Sequence, residues 1–548
     1  MSDHWDADVV VVGAGIGGLV AAAYLQSLGK RVVVVDRHHV VGGNISAFTH
    51  HGYEFDVGTH YVGDCRPGGL IPSIYAALGL DDRITWSELD PEGFDHLFFP
   101  DAEYSIPTGL DRFRDRLHDW FPNEHAGIDS YCKFVTDTRV ALDAAQRGEF
   151  DERLAVLIEH RDTTLGDLFG KLGLSPRLQM ILAGQHLVYG VAPSRVSAIL
   201  QAMVLNHYID GAFYPQGGGQ VLTQVLAEHI RSEGGEVILR TPVEEIIVEG
   251  GRAVGIRIRP PSPDRERGIP TEVRAPVVLS NADLRRTVLE LVGEEHFPDD
   301  FVARIRNMRL APPLFVAYVV IDRDLAAEGR SSGNAYVFGH TDFDTEYAAL
   351  ARGELVDEPT LFCSFSSLKD PGNTQLCRPG QTNFQVMALV PPDYGYWGLH
   401  DGPVAGERYR RNEAYTDRKR TLAERFVRQA ELAVPGLTDS IAYLDTATPI
   451  THERFVHSSG GTSYGFELTP DQTADRRPAP ASPLPGLYFT GQNITTGHGI
   501  AACAMGGVLA AEAITGEPIA AAIRRGERVS SGRYWTRTSD LIRVEDAL

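Results

Sequence analysis

An α/β fold with a parallel, Rossmann-like sheet is predicted by three observations. The N-terminus runs through four valines at 9–12, then Gly13-Ala14-Gly15-Ile16-Gly17-Gly18, an alanine- and leucine-rich helix, and a second valine strand that ends at Asp36. A second strand–glycine–loop–helix unit stands at 486–514. Between them lie long stretches of helical and of mixed strand periodicity.

The first strand is short, β-branched and stopped by a glycine, as a buried parallel strand should be. Gly13 permits the tight turn, Gly15 lets the backbone approach a pyrophosphate, and Gly18 lets the helix pack close to the strand. That helix points its positive dipole end at the phosphates. Asp36 lies 23 positions after Gly13, near the roughly 20-residue spacing expected for a carboxylate on the adenosine ribose. A lone GxGxxG occurs in unrelated turns. Two strands, the helix and the acidic terminus together mark a dinucleotide site, against the blander reading of a structural βαβ unit without ligand.

Val41-Gly42-Gly43-Asn44 follows as a loop that passes the same ligand, and 53–57 alternates like a strand before Gly58-Thr59-His60-Tyr61. Residues 70–205 read as mainly helical, with helices at 73–80, 110–120, 128–147 and 154–160 and two more within 175–207, broken at Gly190 and Pro193. Residues 211–220 read as a glycine-rich turn that leads into an amphipathic helix at 221–231. Strands follow at 236–240, 243–249 and 254–259, with Gly250-Gly251 as a hairpin turn. The proline-rich, charged stretch 260–270 reads as a surface loop, and 275–283 as a buried strand running into a helix. Strands are then expected at 314–321, 334–338, 361–366 and 383–389, and a long amphipathic helix at 413–433. The polar segment 520–548 reads as a mobile tail.

Composition bounds the function. A chain of 548 residues, 43% hydrophobic, buries a large core in two or three domains. Its net charge of −22 argues against nucleic acid and against electrostatic adhesion to anionic lipid, though not against apolar contact with a membrane. Five scattered cysteines without a CxxC pair suggest neither a disulfide framework nor a zinc site, which fits a reducing cytoplasm. The pairs His38-His39 and His50-His51 point apart in an extended chain, so they read as loop residues and not as metal ligands. No targeting segment and no run of 18 uncharged apolar residues is visible, so contact with lipid is expected from one side only.

Together, Gly13 to Leu19, Gly42-Gly43, Phe55 to Tyr61, Tyr214-Pro215-Gln216-Gly217-Gly218, Ser280-Asn281-Ala282 and Gly486 to Ile500 resemble the flavin-dependent amine oxidase superfamily. Within it they resemble the branch of phytoene desaturases, carotenoid isomerases and retinol saturases. The resemblance implies a discontinuous FAD-binding domain over 1–75, 213–285 and 485–520, with an α+β substrate domain inserted over 76–212 and 286–484. It implies FAD contacts by Gly13, Gly15, Ile16, Gly17, Gly18, Asp36, Arg37, Gly43, Asn44, Gly58, Thr59, Val243, Asn281, Gly491, Gln492, Gly499 and Ile500. The sequence departs from the family twice. Asp36 stands where Glu is usual, which makes a looser or water-bridged ribose contact, and Gln492 stands where the wider superfamily has Asp.

The activity implied is an FAD-dependent reaction on carbon–carbon double bonds of a long apolar isoprenoid or polyene: saturation, desaturation or cis–trans isomerisation. His60, Tyr61, Tyr214 and His498 are the catalytic candidates, with His207 and Tyr208 as further proton donors. Two other readings stay open. One is a flavin amine oxidase acting on a small amine. The other is a prenyl-binding protein of the same fold without redox chemistry, against which the retained glycine fingerprint counts. The expected partner is an apolar small molecule, and the oligomeric state is open.

Overall fold

The computed structural model describes residues 5–259, 272–340 and 342–529 and the backbone of 535–537. The valine strands Val9–Val12 and Val32–Val35 are buried throughout, as β-branched runs without a polar face must be. They sit inside a five-stranded sheet in the order Glu236–Ile238, Val32–Val35, Val9–Val12, Val277–Ser280, Leu487–Phe489. Every pairing in it is parallel. Helix Ile16–Ser27 packs against helix Ile500–Thr515 with glycine at the contact: a Cβ on Gly507 would lie 2.4 Å from the Gly17 carbonyl. The hairpin at Gly250-Gly251 is present, and both glycines take positive φ (57° and 74°), as a two-residue turn of this hand requires.

The second large element is a seven-stranded mixed sheet. Its order is Ile441–Ala447, Leu314–Ile321, Thr382–Leu389, Leu361–Ser364, Asn334–Val337, Asp95–Phe99, Ala102–Ile106. Strand alternation divides its side chains. Phe315, Ala317, Val319 and Ile321 join a core with helix Glu413–Gln429, while Val316, Tyr318 and Val320 belong to the core of the helical region.

Several expectations are corrected. Residues 70–205 carry the strands Trp86–Glu88, Asp95–Phe99 and Ala102–Ile106 among their helices. These strands are short and partly polar, so they lack the clean alternation that marks a strand in sequence. The helix expected at 73–80 is Leu70–Ala76, with Pro72 tolerated in its first turn, where no N–H is needed. A further helix, Leu165–Leu172, has a capping box of Thr164 and Asp167 and ends at left-handed Gly173. The glycine-rich turn at 211–220 contains the buried strand Ala212–Pro215, paired with Val62–Gly63 and Trp86–Glu88. The expected mobile tail begins with helix Ile519–Arg524, whose Ile519 and Ile523 join the dinucleotide core, and with strand Glu527–Val529, paired to Trp535–Arg537. Residues 530–534 and 538–548 of that segment, and the loop 260–270, lie outside the described residues. Among the described residues no helix is long and apolar enough to cross a membrane.

Candidate active site

A single cavity of about 1790 Å³ runs from the glycine turn of the first βαβ unit to the inner face of the seven-stranded sheet. Gly13, Gly15, Ile16 and Gly17 line one end, with Gly43, Asn44, Gly58, Val243, Asn281, Gly491, Gln492, Gly499 and Ile500. Helices Ile16–Ser27 and Ile500–Thr515 both open on this end. Their N-caps are Gly15 and Gly499, and neither has a side chain that accepts from the first turn. The unpaired N–H groups and dipoles of both therefore face the cavity. Thr490 and His498 also line it, and the Thr490 Oγ1 and the His498 Nε2 are buried without a partner.

Asn281 sits where the glycines converge. A Cβ on Gly15 would come within 2.7 Å of its Nδ2, one on Gly17 within 3.0 Å of its Oδ1, and one on Gly491 within 2.8 Å of the same oxygen. The two glycine units thus meet around a single amide side chain. Asp36 lines the same end. Its Oδ2 accepts from the Ala14 N–H at 2.7 Å and its Oδ1 from the His38 N–H at 2.7 Å. Each oxygen keeps acceptor capacity for a ligand hydroxyl while it ties down the turn. Arg37 lines the cavity as well, but its guanidinium donates to the Arg454 and Phe455 carbonyls, at 3.0 Å and 2.9 Å, and so holds the C-terminus of helix Pro449–Val456.

Beneath the C-terminal loop lies Arg477, 1% exposed. It donates to the carbonyls of Gln492, Ile494, Phe466, Glu467 and Gln472 and, among the described residues, has no carboxylate partner. Burial lowers it to about 10. This cation fixes the course of the 491–500 loop through backbone oxygens alone.

The other end is apolar. Leu314, Val316 and Tyr318, alternate residues of one strand, face it together with Phe362 and Met387 from neighbouring strands. Leu187, Val188, Tyr208 and Tyr464 close it from the helical side.

The catalytic candidates separate in this setting. His60 and His498 line the cavity; burial pushes both down to about 3, assisted by the charge of Lys369 for His60 and of Arg477 for His498. Both are neutral at physiological pH and hold no acidic imidazolium proton. His207 is pushed down to about 4 by burial, accepts from the Gly63 N–H at 3.0 Å and does not line the cavity. Tyr214 is corrected: it is fully buried away from the cavity, and its hydroxyl is committed to Asp56. Gly18 and Thr59 also stay out of the lining. A Cβ on Gly18 would meet the Gly13 carbonyl at 2.4 Å, so its service is helix–strand packing, and Thr59 packs under Gly219. Tyr61 and Tyr208 do line the cavity, stacked with centroids 4.2 Å apart.

Behind Tyr61 lies a polar network that sequence reasoning missed. Its members are Asp95, Gln185, Asn334, Ser364 and Lys369, all buried. Lys369 Nζ donates to the His60 carbonyl at 2.6 Å, Asn334 Oδ1 at 2.5 Å and Ser364 Oγ at 2.8 Å. Burial brings it down to about 7, against the pull of Asp95 and Asp56. The one sequence signal was a charged residue beside an apolar run, Asp95 just ahead of Leu97-Phe98-Phe99.

The flavin-containing amine oxidoreductase family model matches residues 16–515. The chain belongs to this family. As a member of it, the protein is a flavin-dependent oxidoreductase, and the family likeness read from its glycine motifs holds. It is 29% identical over 541 residues to an all-trans-retinol 13,14-reductase of Macaca fascicularis, covering 92% of this chain and 85% of that protein. It is 26% identical over 529 residues to a neurosporene-forming phytoene desaturase of Rhodobacter capsulatus, covering 93% and 94%. In three dimensions it is similar to the cyclohexylamine oxidase of Brevibacterium oxydans, with a TM-score of 0.55 at 15% identity over 95% of this chain and 99% of that one. That last likeness is one of fold.

Proposed function

We propose that the protein binds FAD at the glycine-rich end of the cavity and acts on a carbon–carbon double bond of a long apolar polyene, carotenoid- or retinoid-like, at the other. The observation that carries this reading is the continuity of one cavity from the Gly13–Gly17 turn to the Val316–Met387 wall. Its volume exceeds the roughly 300–1000 Å³ of a single-ligand pocket, which suits a dinucleotide and a substrate together. The reductase and desaturase relatives, both named for polyene chemistry, support the same substrate class.

The residues present fit the cofactor. Two uncapped helix N-termini provide for the pyrophosphate, Asp36 for the ribose, the Val243 strand start for the adenine, and the unpartnered Thr490 and His498 atoms for polar edges of the flavin. When bound, a flavin supplies two-electron exchange with carbon. The chain does the rest. Leu314, Val316, Tyr318, Phe362 and Met387 strip water from an apolar chain and align it along the sheet face. Tyr61 and Tyr208 add a stacked aromatic surface, and the neutral His60 and His498 add polar surface without charge.

Anaerobic incubation of the flavin-loaded protein with carotenoids, retinoids and short amines tests this. A product two mass units heavier or lighter than a polyene, or an isomer of it, is expected; oxidation of short amines alone would overturn the reading.

A further inference from the structure

Adding hydrogen across a double bond requires a hydride at one carbon and a proton at its neighbour. A bound flavin would supply the hydride; the proton has to come from the protein. Among the polar candidates that line the cavity, Tyr61 alone is hydrogen-bonded to a buried acid. Its hydroxyl lies 3.2 Å from Asp95 Oδ2, 3.1 Å from the Tyr336 hydroxyl and 3.3 Å from Gln185 Nε2. Asp95 is 0% exposed and does not line the cavity. Its Oδ2 accepts from Gln185 Nε2 at 2.7 Å, and its Oδ1 from Asn334 Nδ2 at 2.9 Å.

Among the described residues no cation touches this carboxyl. The Asn334 amide stands between it and Lys369, with Oδ1 toward the ammonium and Nδ2 toward the acid. Both ends of that amide are committed, so its orientation is set by its partners. The titratable groups facing Asp95 from the packed elements are Tyr61, Tyr208, Tyr336 and Lys369. The three tyrosines are uncharged at neutral pH, and Lys369 reaches Asp95 only through the amide. A carboxyl so placed is costly to ionise. Burial lifts Asp95 to about 6, against its three hydrogen bonds and Lys369.

The geometry points to Asp95 as the positioning residue for a catalytic Tyr61: the buried carboxyl fixes the tyrosine hydroxyl and restores the proton that Tyr61 gives to a substrate carbon. This rests on the polyene reading above. The step balances. The Tyr61 O–H bond breaks as a C–H bond forms at the carbon next to the one that received hydride. The phenolate then takes the Asp95 proton, and the carboxylate is reloaded from water once product leaves. For bond formation in the opposite direction the same pair accepts the proton. The state of Asp95 also aims the hydroxyl: ionised, it draws the Tyr61 hydrogen inward; protonated, it donates to the Tyr61 oxygen and frees that hydrogen for the cavity.

The test uses flavin-loaded wild type, Asp95→Asn, Asp95→Glu, Tyr61→Phe and the Asp95→Asn/Tyr61→Phe double variant. Expected are unchanged flavin absorbance in all, a loss of turnover of about 100-fold or more in Asp95→Asn and in Tyr61→Phe, partial rescue in Asp95→Glu, and a double variant no slower than either single one. The wild-type rate should fall with an alkaline limb that Asp95→Asn lacks. Infrared difference spectra against Asp95→Asn should show a protonated-carboxyl band whose midpoint moves up in pH in Tyr61→Phe, because a donor to the charged form is gone. Wild-type turnover with an unchanged pH profile in Asp95→Asn, multiplicative single effects, or a carboxyl band indifferent to Tyr61 would each overturn the assignment. If wild type converts no polyene, the polyene reading fails, and the infrared result still decides whether the two residues share a proton.

Discussion

At one end of the cavity the wall is backbone; at the other it is side chains. Around Asn281 the lining is made of glycines, helix N-termini and carbonyls, held by Asp36 at the first turn and by Arg477 under the last loop. Along the seven-stranded sheet the lining is alternate residues of three strands, each replaceable by another apolar residue of similar size. A backbone-built site is specified by where side chains must be missing, and a side-chain-built site by what fills it. The first tolerates almost no change; the second sets selectivity and can be retuned.

The sharpest way to break this contrast is Gly15→Glu. The new side chain would start 2.7 Å from Asn281 Nδ2 and occupy the pyrophosphate's place. Complete loss of flavin absorbance is expected with the far-ultraviolet circular dichroism of the folded chain retained; normal flavin content in that variant would refute the assignment. Next in size is Arg477→Met. Removing a buried cation that serves five carbonyls should cost about 4 kcal/mol, read as a lower denaturant midpoint with faster flavin release. At the apolar end, Val316→Asp should leave flavin content intact and weaken the spectral perturbation by long polyenes about 100-fold, roughly 3 kcal/mol. Equal loss of flavin there would mean that the two ends are not separable.

The smallest effect is a slope with pH. Burial raises the Asp56 carboxyl from its ordinary 3.8 to about 6, against donation from Tyr214 and the Gly219 N–H. The folded state therefore holds this proton more tightly than the unfolded one. Its stabilising contribution is fully present below about pH 3.8 and is lost as pH rises through about 6. Urea midpoints measured across that window should fall less steeply with rising pH in Asp56→Asn than in wild type. Parallel curves would show that Asp56 does not carry the titration.

The same contrast explains what could be read from the sequence. Gly13, Gly15, Gly42-Gly43, Gly491 and Gly499 are contiguous motifs, because a turn imposes its demands on neighbouring residues. Asp36 followed from its spacing after Gly13. Tyr214 and Thr59 sit inside such motifs, yet they turn to the interior; a motif tells where the chain goes and not which way a given side chain faces. The network behind Tyr61, beyond the lone signal of Asp95, could not be read for the opposite reason. Tyr61, Asp95, Gln185, Asn334 and Lys369 are separated by tens or hundreds of residues and meet only because Asn334–Val337 pairs in register with Asp95–Phe99 and Ser366–Lys369 packs beside them. Strands such as Trp86–Glu88 were missed because three residues carry too little pattern to distinguish them from coil.

The order of the parallel sheet has a consequence for biogenesis. Val277–Ser280 gains its outer neighbour only from Leu487–Phe489, and helix Ile16–Ser27, buried along 11 of its 12 residues, is covered in part by Ile500–Thr515. During translation the fingerprint helix thus leaves the ribosome long before the helix that covers it, so the glycine-rich end of the cavity cannot close until Ile500–Thr515 has followed.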